Sequence, residues 1–352
     1  MRPAPTRGVD VALLPTLRFH AGTSMRLYAS DLLESLDGIP GIEPALLTPP
    51  FESLPSVGWV RSRWIRYVSY PAWAKRQGAD LYHIVDHGNA QLMLRVPGAR
   101  TVVTCHDLYP VAVAFGRLRF PGAPARSAVL PTSVRLTLLR KAGAVVTDSK
   151  HTLEECRRYL GVPASRLHLA YQGVSATFRV AGADEALRIL QSRVGVQPGD
   201  LVVLHVGSNE ARKNLSTVVR VVARVREQVK RRVVLLKVGS RFGPAEFKII
   251  RALDVQNSVR DVGEVSGDDL RCAYRVASVL STGGAIPEIT GGAAALYDPL
   301  DVEGMAKRIV ELAVSPTLRE EMAQAGQEAS RRFTWREHGQ AVAGVYETLR
   351  SG

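Results

Sequence analysis

The sequence predicts an α/β protein built from two domains, each a doubly wound parallel sheet. Three observations lead there. At 352 residues the chain is too long for one ordinary core and suits two domains. The stretch Leu201 to Arg226, LVVLHVGSNEARKNLSTVVRVVARVR, opens with an apolar run rich in β-branched residues, as a strand buried on both faces should. Gly207 punctuates it, and Leu215, Val218, Val219, Val222 and Val225 then follow at helical spacing, with Arg220, Arg224 and Arg226 between them. The same order of strand, glycine loop and helix begins the chain: Val9 to Pro15, then TLRFHAGTSM with Gly22 and Thr23, then Met25 to Leu36.

Composition narrows the partners. A hydrophobic content of 46% with 22% charged residues is that of a globular domain. No apolar run is long enough to span a bilayer, and MRPAPTRGVD lacks the apolar core of a signal peptide. The expected location is the cytoplasm, with a peripheral seat on the inner face of the membrane as a further expectation. Cys105, Cys156 and Cys272 are scattered and have no metal-type spacing, so reduced thiols and no metal are expected. The net charge of +13 implies an anionic partner: nucleic acid, an anionic membrane or a phosphorylated substrate. Zinc-finger spacing, an aromatic RNP pattern and a basic tail are all missing, so no nucleic-acid partner is expected.

From Trp59 to Arg76 the chain reads WVRSRWIRYVSYPAWAKR, with Trp59, Trp64, Tyr67, Tyr70 and Trp73 interleaved with Arg61, Arg63, Arg66, Lys75 and Arg76. Such a helix can dock on anionic headgroups, or it can turn its aromatics to the core and its cations to water. Pro71 predicts an interruption, which favours the second arrangement. ADLYHIVDHGNAQLML then predicts a strand entering a loop with His83, Asp86 and His87, read as an acceptor-side loop rather than a metal site, since no further well-spaced ligand follows. Thr101 to Thr104 predicts a strand ending at His106 and Asp107, which aims the histidine at the carboxyl edge of a sheet, where open α/β folds bind ligands; a buried structural histidine with an aspartate partner is the alternative. Ala144 to Ser149 is another strand, and the helix after it stops at Gly161. A strand ending at Gln172-Gly173-Val174 closes the first domain, and Ser175 to Asp184 reads as a linker.

In the second domain Arg232 to Gly239 and Val259 to Val265 predict strands, Phe247 to Leu253 a helix, and Ser266 to Leu270 a capped helix start. The loop SNEARKN between strand and helix carries Arg212 and Lys213. Free backbone N–H groups and the helix dipole favour an anion there, and two added cations suit a diphosphate. A solvated charge pair capped by Asn214 fits the spacing equally.

The run G-S-N-E-A-R-K-N-L resembles the loop of family 4 glycosyltransferases, retaining enzymes of the GT-B fold, in which an Arg-Lys pair holds the diphosphate of a nucleotide sugar. The His106-Asp107 pair, T-D-S-K-H-T from Thr147 to Thr152, the Gln172-Gly173-Val174 turn (Asn being usual for Gln) and V-G-E-V-S-G-D-D-L from Val262 resemble the same family. The D-H stretch at Asp86 and His87 is similar to that of its mannosyltransferase-like members. The resemblance implies a GT-B architecture: an acceptor-side domain over residues 1–178, a nucleotide-sugar domain over 179–333, and a terminal helix over 334–352 that crosses back from the F-T-W start. It also implies no cofactor, a GDP- or UDP-linked donor, and a glycan or lipid-linked acceptor, with Gly22, Thr23, Gly207, Arg212 and Lys213 at the donor diphosphate. His106 would lie by the reacting sugar, and His83, Asp86, His87 and Asp107 on the acceptor side. Mannose is the favoured sugar by resemblance alone.

The pattern breaks at SVLSTGGAIPEITGGAAALYDP. A strand, a Gly-rich loop and a helix bearing the family's paired glutamates, roughly 25 residues at ordinary element lengths, are missing between Val279 and Gly283. Losing a central strand and its helix would expose edges and apolar faces at a cost beyond a stability of about 5–15 kcal/mol, which favours unwritten residues over a true deletion. An inactive paralogue serving as a binding or scaffold subunit is the rival reading. A sugar-phosphate epimerase or phosphorylase and a nucleic-acid binder rank lower.

Overall fold

The structure, a computed structural model, describes residues 8–351 apart from 19–22, 53, 55–57, 119–121, 175–182, 266–269 and 271–284. The chain divides into two units: Met1–Arg119, Pro124–Gly173 and Phe333–Gly352 form one, Phe120–Ala123 and Val174–Arg332 the other.

Unit 1 carries β1 (Val9–Leu14), α1 (Thr23–Leu36), β2 (Ile42–Leu46), α2 (Trp59–Trp64), α3 (Tyr70–Ala74), β3 (Leu81–Ile84), β4 (Thr101–Cys105), α4 (Tyr109–Ala114), α5 (Arg126–Leu136), β5 (Ala144–Thr147), α6 (Lys150–Glu155) and β6 (Leu167–Leu169). The six strands are all parallel, in the order β2-β1-β3-β4-β5-β6. β4 and β5 are buried at every position, which is why TVVTC and AVVT read as unbroken runs rather than alternating ones. One face packs Leu14, Ile84, Val103 and Val145 against Tyr70, Leu92 and Leu136. The other packs Leu13, Val102 and Val146 against Leu32, Val342 and Tyr346.

Unit 2 carries α7 (Ala183–Val194), β7 (Leu201–Gly207), α8 (Leu215–Gln228), β8 (Val233–Gly239), α9 (Pro244–Ala252), β9 (Val259–Gly263), α10 (Ile286–Thr290), α11 (Val302–Val314) and α12 (Pro316–Ser330). Its described strands are parallel in the order β7-β8-β9. The apolar stripe of α8 covers them: Leu215, Val219, Val222 and Val225 are buried with Leu201, Val203, Val233 and Leu235.

The last helix, α13 (Trp335–Ser351), belongs to unit 1 and packs beside α1. Buried polar contacts seat it. The Tyr346 hydroxyl lies 2.6 Å from Nδ1 of His83, and the Thr104 hydroxyl is 2.7 Å from Nε2 of the same ring. The Tyr28 hydroxyl bridges Thr104, at 3.0 Å, and Nε2 of His338, at 3.2 Å.

Several expectations need correction. Pro71 does not interrupt the helix that begins at Trp59: a π turn, Ile65–Ser69, joins α2 to α3 and Pro71 falls in the first turn of α3, where its missing N–H is not required. The aromatics also divide, Trp59, Trp64 and Tyr67 being exposed while Tyr70 is fully buried, so neither a wholly outward nor a wholly inward face describes them. The strand at Val259 ends at Gly263, not Val265. AALYDP, an apolar run whose sequence predicts a strand, forms none: Leu296 is exposed and the segment has no ladder partner among the described residues. Gly22, the segment Ser175 to Gly182 of the predicted linker, and the break between Val279 and Gly283 lie outside the described residues.

A Cβ at Gly339 would stand 2.1 Å from the Ser35 carbonyl oxygen, so α1 and α13 meet there backbone to backbone with no room to spare. Gly344, on the same helix, has open space around it. Gly339→Ala should therefore lower the unfolding free energy by about 1–3 kcal/mol, while Gly344→Ala should leave it level or raise it by up to about 1 kcal/mol. Urea unfolding of the two variants measures this, and equal effects would refute the close approach.

Candidate functional site

Because the strands of unit 1 run in one direction, the residues just past β3, β4, β5 and β6 gather at one edge, where His87, His106, Asp148 and Gln172 meet. His106 directs Nδ1 at Asp148 Oδ2, 3.0 Å away, and Nε2 at the Val85 carbonyl oxygen, also 3.0 Å away. Gln172 donates from Nε2 to the same Asp148 oxygen at 2.7 Å. An acceptor near each nitrogen favours the protonated ring. Burial opposes that charge, but the hydrogen bond and charge of Asp148 outweigh it and raise the His106 pKa.

His87 lies alongside as the neutral partner. Its Nδ1 accepts the His106 backbone N–H at 3.3 Å, and its Nε2 stands 4.0 Å from Asp107 Oδ1. Burial lowers its pKa, only partly countered by Asp86 and Asp107. Asp107 is the open carboxylate of the group, with its side chain 44% exposed. Asp86 acts as a brace: it accepts from the Thr16 hydroxyl and from the Gly88 N–H, each at 2.7 Å, tying the loop after β3 to the one after β1. Burial pushes the Asp86 pKa up, yet His87 and these donors outweigh it and leave the pKa below the usual value.

His83 departs from its acceptor-side expectation. It is fully buried within β3, both ring nitrogens are engaged by Tyr346 and Thr104, and burial drives its pKa down to about 3. It is a core residue that seats α13. Among the described residues no three His, Cys, Asp or Glu side chains converge to hold a metal ion.

In unit 2, β7 and β8 end in register at Gly207 and Gly239. A short 3-10 turn, Ala211–Lys213, follows β7, and Asn214 with φ +49° leads into α8. Asn214 gives α8 no side-chain cap to a backbone N–H; its Oδ1 accepts from the Thr217 hydroxyl instead. The Lys213 stem runs 3.6 Å from where a Gly207 Cβ would sit, and Gly207 has φ +143°, so the loop folds over the strand end. Arg212 pairs with Glu210 through Nε at 2.6 Å.

Two residues that sequence reasoning passed over lie beneath this loop. His205 and Lys237 are register neighbours on β7 and β8, each two positions before the terminal glycine. Lys237 is fully buried and donates from Nζ to the carbonyls of Gly207 and Ser240, both at 2.7 Å. Burial pushes its pKa below the usual lysine range, with Asp261 and Glu246 partly offsetting this. His205 donates from Nε2 to the Lys213 carbonyl at 3.3 Å. The signal was present as H-V-G and K-V-G, polar residues at one position in two apolar runs. Asp148 was equally legible as the first polar residue past β5. In unit 1, Gly22 is outside the described residues and Thr23 begins α1.

Residues 6–178 match the sequence model of Glycosyltransferase Family 4. No curated protein matches the chain. Among solved structures, the sucrose-phosphate synthase of Thermosynechococcus elongatus superposes with a TM-score of 0.73 at 17% identity, covering 97% of this chain and 99% of that one. Anabaena HepE in complex with UDP and glucose gives 0.70 at 16% identity over 98% and 100%. WaaG, a glycosyltransferase involved in lipopolysaccharide biosynthesis, gives 0.68 at 15% identity over 97% and 100%. The family 4 match and these folds agree on a GT-B architecture of two Rossmann-like domains.

Two consequences are measurable. His106 has a raised folded pKa, so its contribution to stability is fully present below the unfolded value of about 6.5 and is lost as pH rises through the folded value. Asp148→Asn should therefore destabilise most in mild acid, with the gap to wild type narrowing towards alkaline pH; a gap independent of pH would refute the imidazolium. Lys237→Met strips the Gly207 and Ser240 carbonyls of their donor and should cost about 1–3 kcal/mol in urea unfolding, whereas an unchanged midpoint would show that the ammonium is dispensable.

Proposed function

We propose that the chain is a hexosyltransferase that moves a sugar from a nucleotide diphosphate donor to a glycan or lipid-linked acceptor, with retention at the anomeric carbon. The observation that carries this is the loop of Gly207 to Lys213 at the N-terminus of the 14-residue helix α8, with Arg212 and Lys213 on it and the Lys237 ammonium beneath it. A helix N-terminus with added cations binds a diphosphate and stabilises the charge it gains as the sugar departs. That electrostatic role needs no metal ion. The family 4 match of residues 6–178 supports glycosyl transfer, and HepE, solved with UDP-glucose, supports a nucleotide sugar as donor.

His106 acts in this reading as a fixed positive charge by the reacting sugar, oriented by Asp148 and Gln172. Asp107 and His87 meet the acceptor. A mannosyl donor linked to GDP is the favoured choice, with UDP-glucose the main competitor. The reaction runs in the cytoplasm, with the protein seated peripherally on the membrane when the acceptor is lipid-linked. The rival, a catalytically inactive binding subunit, draws on the paired glutamates missing from the sequence around Ser278 to Ser281.

A thermal-shift panel of GDP, UDP, ADP and their sugar conjugates, at fixed ionic strength, separates the two. One base should raise the melting temperature, and Lys213→Ala should weaken that nucleotide by about 1.5–3 kcal/mol, the worth of a charge-assisted contact. If no nucleotide shifts the protein, the inactive subunit becomes the better account; if Lys213→Ala binds as wild type, the loop is not the donor site.

A further inference from the structure

α2 and the π turn after it present a row of large apolar side chains to solvent. Trp59 is 73% exposed, Val60 71% and Trp64 63%, and Tyr67 and Val68 extend the row. Val60, Trp64 and Val68 are spaced four apart and share a face. Trp59, Arg63 and Tyr67 form a second row beside it, the Arg63 guanidinium lying 5.1 Å from the Trp59 ring and 5.6 Å from that of Tyr67.

α5 adds to the same surface. Leu130 is 55% exposed and Val134 60%, again four apart. Arg135, the next residue, donates from Nη1 to the Tyr67 hydroxyl at 2.7 Å, which fixes α5 beside the π turn. So many large apolar side chains brought together on a soluble surface mark an interaction site.

The chemistry of the surface selects its partner. α2, the π turn, α3 and α5 contain no aspartate or glutamate, but they carry Arg61, Arg63, Arg66, Arg126 and Arg135. A protein partner normally meets mixed charge, whereas a uniformly cationic face studded with tryptophan and aliphatic side chains matches the headgroup boundary of an anionic bilayer. We infer that α2, the π turn and α5 together dock this protein on an anionic lipid bilayer. Trp59, Val60, Trp64, Leu130 and Val134 enter the boundary, and Arg61, Arg63 and Arg126 meet the phosphates.

Arg66 does something different from its neighbours. It turns inward and donates from Nη2 to the Gly88 carbonyl at 2.6 Å, while Gln91 Nε2 reaches the Arg66 carbonyl at 3.4 Å. The docking helix is thus stitched to the loop that carries His87. Resting on the transferase reading above, this places the acceptor side of unit 1 directly behind the docking face, so the acceptor would be lipid-linked and drawn from the bilayer.

The test is co-sedimentation of the full chain with vesicles of equal parts phosphatidylcholine and phosphatidylglycerol, with pure phosphatidylcholine as comparison, followed by tryptophan fluorescence. Wild type should pellet with the anionic vesicles and its emission should shift to the blue. Trp59→Ala with Trp64→Ala should lower binding roughly tenfold or more. Leu130→Ala with Val134→Ala should lower it several-fold, and Arg61→Gln with Arg63→Gln roughly tenfold or more, on the anionic vesicles alone. These residues are on the surface, and circular dichroism verifies that the variants fold.

Folded wild type remaining in the supernatant overturns the inference. So does a dimer in sedimentation velocity that Trp59→Ala with Trp64→Ala dissociates, since a second copy would then cover the face. Unaltered binding in the Leu130→Ala, Val134→Ala variant removes α5 from it. Transfer to a water-soluble acceptor should be the same in wild type and the tryptophan variant. Vesicle binding without any transfer would count against the transferase reading alone, and transfer without vesicle binding against docking alone.

Discussion

Parallel alignment of the strands is the constraint on which the rest depends. A strand buried on both faces has no place for an unpaired polar side chain, so chemistry is pushed to its ends. When every strand of unit 1 runs the same way, all those ends lie along one edge. His87, His106, Asp148 and Gln172 come from four separate segments and meet for that reason alone. Unit 2 repeats the logic with a variation. Its strands β7 and β8 end on glycines in register, and polar residues occur two positions deeper, where Lys237 finds carbonyl oxygens from Gly207, Val238 and Ser240 to satisfy its ammonium.

Much of this was legible. The strands β1, β4, β5, β7 and β8 stood out because burial on both faces leaves an unmistakable apolar run, and α8 because its valines keep helical time. His106 was found by a positional rule, the first polar residue past a central strand. The same rule would have found Asp148, which was instead absorbed into the strand drawn on to Ser149. His83 was misplaced because its partners, Tyr346 and Thr104, come from α13 and β4, and a local pattern cannot show a contact made across most of the chain. Pro71 misled because its penalty assumes an unbroken α ladder, and the π turn before it changes which carbonyl each N–H seeks. AALYDP misled because an apolar run becomes a strand only beside another strand.

The electrostatics of the two units differ in kind. In unit 1 the edge mixes histidines with carboxylates: the His106 ring lies between Asp148 and a backbone carbonyl, with Asp86 and Asp107 nearby. In unit 2 the strand ends carry Lys213 above and Lys237 below, the latter donating to neutral carbonyls with Asp261 and Glu246 nearby.

The seating of α13 also sets the order in which the protein can be made. Unit 1 is discontinuous, with its sheet complete by β6 and one face of that sheet waiting for Val342, Val345 and Tyr346. During synthesis, therefore, the segment of unit 2 is made while unit 1 still lacks part of its cover, and Tyr28 and His83 lack their imidazole and hydroxyl partners, respectively. Unit 1 can complete its cover only after the whole of the intervening segment has been made.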